Sequence, residues 1–533
     1  MMPVKYYSLR HTPFRLPSFW GRQAACIVPF LLSLLVISPR AIAGVFPVEG
    51  AKLNYRIVGF SFPALQDVTN YKIEVSTGMV ADESLFRPQI TSARSTTNKI
   101  IAELPSFGTE YTWRIVYTSK INETKKSALY HFSTGTIPQA NNPDTRLRTL
   151  KKNKNFHSYV MLNGTRTMYD MEGKPVWYLP DTGGLGAPSY DIKYTDRHTI
   201  TFLCGQDAYE VNYEGTVLWK APVITYYDTA RQTNERMMYH HEFTRLPNGH
   251  YMALASKNVS RAGLGADAGG RKRGGQFNFF PKIVGSTLYE FDSTGSIVWS
   301  WKSADYYEHS DLYSFYNDNI TDAMLFGHEN SFYFDDKNKV IYVSYSGFNR
   351  IVEISYPSGK VLNTYGKTYK AGNTQTASAG RIAPSPIEVE HMFENNLFLG
   401  QHSCRISKDG TLILFNNNMY DTGVIPQVVR FREDASGQLK KIWAFDCSIG
   451  DYGSSQQNGG GGNVNEMDDG SVFVSMNFPF GKVFIVDKNK NLLWSAQPEK
   501  KTDGEKWDPA PSYRASILSQ RELEQLIWTD GAH

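Results

Sequence analysis

The stretch AYEVNYEGTVLWK, Ala208 to Lys220, reads as a strand, a tight polar turn closed by Gly215, and a second strand that ends on tryptophan. The unit returns five times: RTMYDMEGKPVWYL, LYEFDSTGSIVWSWK, IVEISYPSGKVLNTY, VVRFREDASGQLKKIWAF and VFIVDKNKNLLWSA. Five of the six copies carry the closing tryptophan (Trp177, Trp219, Trp299, Trp443, Trp494), and Asn363 takes its place in the remaining one. The copies recur at irregular intervals of roughly 40 to 80 residues with no helical periodicity between them, which predicts an all-β fold, a six-bladed β-propeller. Each copy is then the outer hairpin of a blade, and its tryptophan packs between neighbouring blades. A solenoid would need more regular spacing.

Upstream, KLNYRIVGFSF, NYKIEVSTG, KIIAELP, EYTWRIVYTS and ALYHFSTG are short strands parted by turn residues. They predict a small β-sandwich of immunoglobulin or fibronectin type over residues 44–138. Residues 139–150 read as a linker, and 151–533 as the propeller. At the N-terminus, basic residues precede the apolar run Ala24 to Ser38 and the small-x-small pattern Ala41-Ile42-Ala43. Residues 1–43 are therefore expected to be a signal peptide cleaved before Gly44, giving an exported protein, periplasmic or secreted. The apolar run is shorter than the ~20 residues of a membrane span, so no stable membrane anchor is expected after cleavage. A net charge of +4 on 533 residues gives no argument for a nucleic-acid partner. Cleavage would leave Cys204, Cys404 and Cys447, enough for at most one disulfide, and the absence of CxxC excludes redox and zinc-finger motifs.

A second repeat precedes the outer hairpin. HEFTRLPNGHYMALA, HENSFYFDDKNKVIYVSY and HSCRISKDGTLILFN align on their turns, so that His241, His328 and His402 share one position. Innermost strands of a propeller line its central channel, and equivalent residues ring the axis. Three histidines are thus expected to meet at one mouth. Two chemistries fit: a metal site with three imidazole ligands, or group transfer to an imidazole nitrogen with the other rings holding an anion. Glu242 and Glu329 follow their histidines directly and are expected on the opposite face, which weakens the metal reading. By the same alternation His240 faces away from the channel, while Asn330 shares the face of His328.

The segments HHEFTRLPNGHYMAL, GHENSFYFDDKNKVIYVS, GQHSCRISKDGTLILFNN and the late SYRASIL resemble the bacterial arylsulfate sulfotransferases, which are exported and independent of a sulfonucleotide donor. The resemblance runs from about Lys151 to Ile527 and implies transfer of a sulfuryl group from an aryl sulfate donor to a phenolic acceptor, with no cofactor and no metal. It further implies that His402 attacks sulfur and carries it as a sulfo-imidazole. His241 and His328 would bind sulfuryl oxygens and protonate the departing phenolate, and Asn330, Tyr513 and Arg514 would contact substrate. In the family the N-terminal sandwich typically serves dimerisation, which makes a homodimer an expectation here. One departure stands out: the arginine that clamps the sulfuryl group in the family aligns with Ser346, and Arg350 lies four residues on. A basic residue of the glycine-rich insertion Arg261 to Gly275 could substitute for it. Without catalysis, the same propeller would be a degenerate ligand-binding protein.

Overall fold

A computed structural model describes residues 44–137, 145–181, 189–228, 232–257, 282–306, 324–366, 397–418, 425–449, 460–477, 481–502, 504–510 and 512–529. The expected signal peptide, 1–43, and the insertion 261–275 lie outside these. Among the described residues no helix is long and apolar enough to cross a membrane.

The chain is almost entirely strand. Six antiparallel sheets each present one inner strand: Ala515–Ser519, Ser189–Tyr194, Thr233–Arg245 (whose first residues also pair with Thr225–Asp228), Glu329–Asp335, His402–Ile406 and Asn463–Glu466. These strands touch one another in that cyclic order, the last against the first. Two distant parts of the chain close the ring, because Ala515–Ser519 pairs with Ser158–Leu162, placing Ile517 opposite Val160. Sheets arranged in this way are the blades of a propeller, and they are numbered 1 to 6 here in the order given.

The repeated tryptophans bind each blade to the next. Indole N–H groups donate to carbonyls one blade on: Trp177 to Tyr213 (2.7 Å), Trp299 to Pro357 (2.7 Å), Trp443 to Lys488 (2.9 Å) and Trp494 to Met171 (3.0 Å). Trp219 instead stacks on Tyr251 with ring centres 3.8 Å apart. Asn363 lacks a ring, yet its Nδ2 donates to the Gly437 carbonyl at 2.9 Å, reproducing the indole bond with an amide. Asn363→Ala is expected to lower stability by about 1 kcal/mol, the net worth of one such bond; urea unfolding measures it.

The N-terminal part has a larger sheet built on Val68–Thr77 and Glu110–Ser119, and a two-stranded sheet of Ile57–Ser61 with Lys99–Glu103. Phe60 lies between them against Trp113 and Phe132, with ring centres 5.0 and 6.1 Å away. This core continues into blades 1 and 2, where Tyr55 stacks on Tyr213 at 4.3 Å. A short helix, Gln520–Ile527, follows the closing strand, started by a capping box between Ser519 and Glu522. It buries Leu523, Leu526 and Ile527, and its end sits on Gly59, where a Cβ would come within 2.6 Å of Ile527 Cγ2.

The stretch 139–150 is not a linker throughout. Residues 138–144 lie outside the description, but Thr145–Lys152 is a strand along Leu492–Thr502 of blade 6. Its sequence, TRLRTLKK, reads as a linker because of its charges, which are also what an edge strand carries toward solvent. Leu147 is buried, while Arg146 and Arg148 both reach Glu499 at 2.7 Å. Cys204, Cys404 and Cys447 are all buried, and none of the three forms a disulfide with another.

Candidate active site

Inner strands would keep strict alternation if they were regular, and here they are not. A register shift lies between Tyr239 and Phe243 in blade 3, between Glu329 and Ser331 in blade 4, and between His402 and Arg405 in blade 5. Bulges of this kind re-aim side chains at the rims of closed β structures. His241 (φ 59°) and His328 (φ 53°) occupy the left-handed region themselves, whereas in blade 5 that position falls to Ser403 (φ 56°). The equivalence read from the turns is therefore off by one at His402, which precedes the left-handed residue. Non-glycine residues in this conformation cost of order 1–3 kcal/mol and cluster at functional sites.

The bulges bring the rings together. Centres are 5.0 Å apart for His241 and His328, 6.4 Å for His328 and His402, and 6.4 Å for His402 and Tyr513. Tyr513 also lies 5.9 Å from His241. His241 Nε2 and His328 Nε2 are hydrogen-bonded at 3.1 Å. His240 lies behind His241, with its Nδ1 2.6 Å from Nδ1 of His241 and its Nε2 3.1 Å from Ser286 Oγ. Among the described residues no three His, Cys, Asp or Glu side chains are grouped so as to hold a metal ion.

His402 is 2 % exposed and held at both nitrogens. Asn417 donates its Nδ2 to the Gly461 carbonyl (2.9 Å), which turns its Oδ1 toward His402 Nδ1 (2.8 Å); the Gly400 carbonyl is 2.9 Å from the same nitrogen. Both are acceptors, so Nδ1 carries the proton and Nε2 carries the lone pair. That lone pair receives the N–H of Gly461 at 3.0 Å. Only glycine fits there: φ is +93°, and a Cβ would lie 2.6 Å from Asn477 Nδ2 and 2.9 Å from the Tyr513 ring.

All four imidazoles are held neutral. Burial, then the neighbouring His328, pushes His402 down to about 3 despite the opposing bonds from Gly400 and Asn417. Burial lowers His328 to about 4, and burial with His328 lowers His240 to about 3. His241 falls well below the usual imidazole range through burial, His240, His328 and Arg514 in turn. An unfolded imidazole titrates near ~6.5, so between that pH and about 4 the unfolded chain takes up protons that the native site refuses. Stability is therefore expected to fall as pH drops through this window. Denaturant midpoints measured from pH 7 to pH 4 check the direction.

Behind the rings the channel is closed by buried charge. Arg514 Nη1 lies 2.7 Å from both Asp191 and Glu242, and Nη2 donates to the Asn330 carbonyl at 2.6 Å. Lys193 bonds both carboxylates, and Arg405 reaches Glu242 at 2.9 Å. Burial would raise Glu242, but Arg405, Lys193 and Arg514 outweigh it and hold the carboxyl well below its usual range. Past this layer lies a cavity of about 670 Å³ lined by Lys193, Glu242, Arg405, Tyr333 and Phe334 among others, with none of the histidines on its wall.

The residues expected to contact substrate are thus placed differently from one another. His241, His328, His402 and Tyr513 converge. Arg514 belongs to the ion layer, with both terminal nitrogens engaged. Asn330 is fully buried and its amide donates to the Gln401 carbonyl at 2.6 Å, so it braces the residue before His402. Alternation misplaced it because the register shifts beside it. Ser346 sits where the resemblance called for arginine, its N–H on the His328 carbonyl at 3.1 Å. Arg350 begins the next strand, is buried, and has its guanidinium 5.3 Å from the Phe348 ring centre. Asn417 and Gly461 were not singled out from the sequence as partners of His402. The NNN and GGGG runs that carry them were the available signal.

Among solved structures, the fold is similar to a protein of unknown function from Bacteroides caccae (9% identity, covering 70% of this chain and 99% of that one, TM-score 0.38). It is also similar to a Lactobacillus plantarum protein (10%, 84% and 100%, 0.33) and the periplasmic gluconolactonase of Pseudomonas aeruginosa (13%, 76% and 95%, 0.31). Likenesses this distant carry no functional inference. No curated protein matches the chain. The arylsulfotransferase (ASST) family model, in contrast, matches residues 141–476, a span that takes in His241, His328 and His402, and the chain belongs to that family.

Proposed function

We propose that this protein moves a sulfuryl group from an aryl sulfate to a phenol in two steps through His402, acting as an exported enzyme after loss of residues 1–43. The observation that carries the reading is the fixing of the His402 ring: Nδ1 is bound by two acceptors, so Nε2 presents its lone pair, and burial keeps the ring neutral. A neutral imidazole oriented in this way is a nucleophile that needs no prior deprotonation. As sulfur approaches, the Gly461 N–H leaves Nε2 for a sulfuryl oxygen. The S–O(aryl) bond then breaks, with its electron pair leaving on the aryl oxygen.

Sulfuryl transfer, like phosphoryl transfer, depends on in-line positioning and on donors aimed at the peripheral oxygens. Their Nε2 atoms share one hydrogen, so once the mutual bond opens whichever of His241 and His328 carries it supplies such a donor. The Tyr513 hydroxyl is buried and has no hydrogen-bond partner among the described residues, and burial raises its pKa to about 12, so it is a protonated donor at neutral pH. It serves as a further sulfuryl or aryl-oxygen contact.

Initial rates with a chromogenic aryl sulfate and varied phenol test the reading: parallel double-reciprocal lines that persist after chelation are expected. Intersecting lines would replace the covalent route by direct transfer, and loss on chelation restored by metal would replace it by a metal enzyme. A second reading rests on Ser346, which leaves the family's clamping arginine unmatched. Tight binding of aryl sulfates with no turnover across a broad donor panel would make this a ligand-binding propeller.

A further inference from the structure

We propose that Glu329, Ser286 and His240 form a proton relay behind His241 that takes the acceptor's hydroxyl proton and later returns it to the donor's leaving oxygen; this rests on the sulfuryl-transfer reading above. Five side chains stand in one hydrogen-bonded line. Ser286 Oγ donates to Glu329 Oε2 at 2.8 Å, and His240 Nε2 is 3.1 Å from Ser286 Oγ. His240 Nδ1 is 2.6 Å from His241 Nδ1, and His241 Nε2 is 3.1 Å from His328 Nε2. Glu329 and Ser286 are fully buried, and the second carboxyl oxygen, Oε1, is bonded by Ser303.

The carboxylate fixes the polarity of the line. An ionised Glu329 only accepts, which commits the single proton of Ser286. His240 must then carry its hydrogen on Nε2, and its Nδ1 receives the hydrogen of His241 Nδ1. His241 Nε2 is left as the base at the site end. With Glu329 protonated on Oε2 every bond reverses, and His241 Nε2 carries a hydrogen toward the site. Both polarities satisfy every atom from Glu329 to His240, as a two-way wire requires.

The transfer balances. In the acceptor step the phenolic O–H breaks, its proton goes to His241 Nε2, and the oxygen pair forms the bond to sulfur. The S–Nε2 bond of His402 breaks with its pair returning to nitrogen. One proton passes each link, and Glu329 ends protonated. In the next donor step the same proton returns to the aryl oxygen as its bond to sulfur breaks. The groups that face His241 from other strands are His328, His402, Tyr513 and Arg514. The Arg514 cation disfavours a second charge on His241 and so drives the proton inward. His240, Ser286 and Glu329 touch no substrate and are positioning residues.

Single-turnover kinetics of Ser286→Ala and Glu329→Gln test the relay. Nitrophenolate leaves without a proton, so sulfo-enzyme formation from 4-nitrophenyl sulfate should stay within about twofold of wild type, while cleavage of phenyl sulfate and transfer to phenol fall on the order of 10²-fold. Ser286→Thr, which keeps the hydroxyl, should restore both. Equal losses on both donors, or no loss on either, would overturn the relay. If wild-type protein forms no sulfo-enzyme from 4-nitrophenyl sulfate, the sulfuryl-transfer reading itself fails and the relay with it.

Discussion

His402→Ala is expected to reduce acceptor-dependent release of nitrophenol by about 10⁴-fold or more, the scale on which enzymes lose rate when a covalent nucleophile is removed. In the resting site the neighbouring rings have their nitrogens engaged. His241 and His328 have their Nε2 atoms on each other, and His240 is turned toward Ser286. The variant takes the ring away from the Gly461 N–H, Asn417 Oδ1 and the Gly400 carbonyl, at a cost of roughly 1–3 kcal/mol for each group that then finds no other partner. It should still fold, and free imidazole, entering the space of the lost ring, should restore part of the rate. A loss of less than tenfold would remove His402 from the chemistry.

Glu242→Gln should be the most destabilising conservative change in the channel, by about 3–5 kcal/mol. Glu242 is 2 % exposed and joins Lys193, Arg405 and Arg514, so the amide leaves Lys193 and Arg514 sharing Asp191 and takes from Arg405 its carboxylate partner. Its folded carboxyl pKa lies below the unfolded value, so its contribution is present above pH ~4.3 and is lost as pH falls toward the folded value. At neutral pH the whole penalty appears in the thermal or denaturant midpoint. A variant within 1 kcal/mol of wild type would mean that the ion layer does not hold blades 2, 3 and 5 to the closing strand.

Much of this was legible in the sequence because propeller blades repeat. Turn residues and closing tryptophans are local signals, and they located all six sheets before any contact was known. Asn363 shows why the pattern survives substitution: the inter-blade bond needs an N–H, which an amide supplies as well as an indole. The convergence of His241 and His328 followed from their shared place in the repeat, and His402 reaches the same mouth from one residue before the equivalent position. The parts that were not legible trace to broken alternation. Asn330 was expected on the substrate because a bulge carries no sequence mark when its left-handed residue is histidine instead of glycine. Arg514 was expected on substrate because nothing local announces Asp191 and Glu242, which come from other blades. The helix Gln520–Ile527 did carry a signal, the Ser519 to Glu522 capping box, but eight residues in a strand-rich chain give little periodicity.

The central claim, that sulfur passes through His402 Nε2, is tested most directly by quenching the protein after mixing with an aryl sulfate alone and sequencing its peptides by mass spectrometry under alkaline conditions. A sulfuryl group on His402, formed without acceptor and discharged when phenol is added, is the predicted result. Absence of the adduct during measured turnover, or its appearance on another residue in His402→Ala with activity intact, would contradict it.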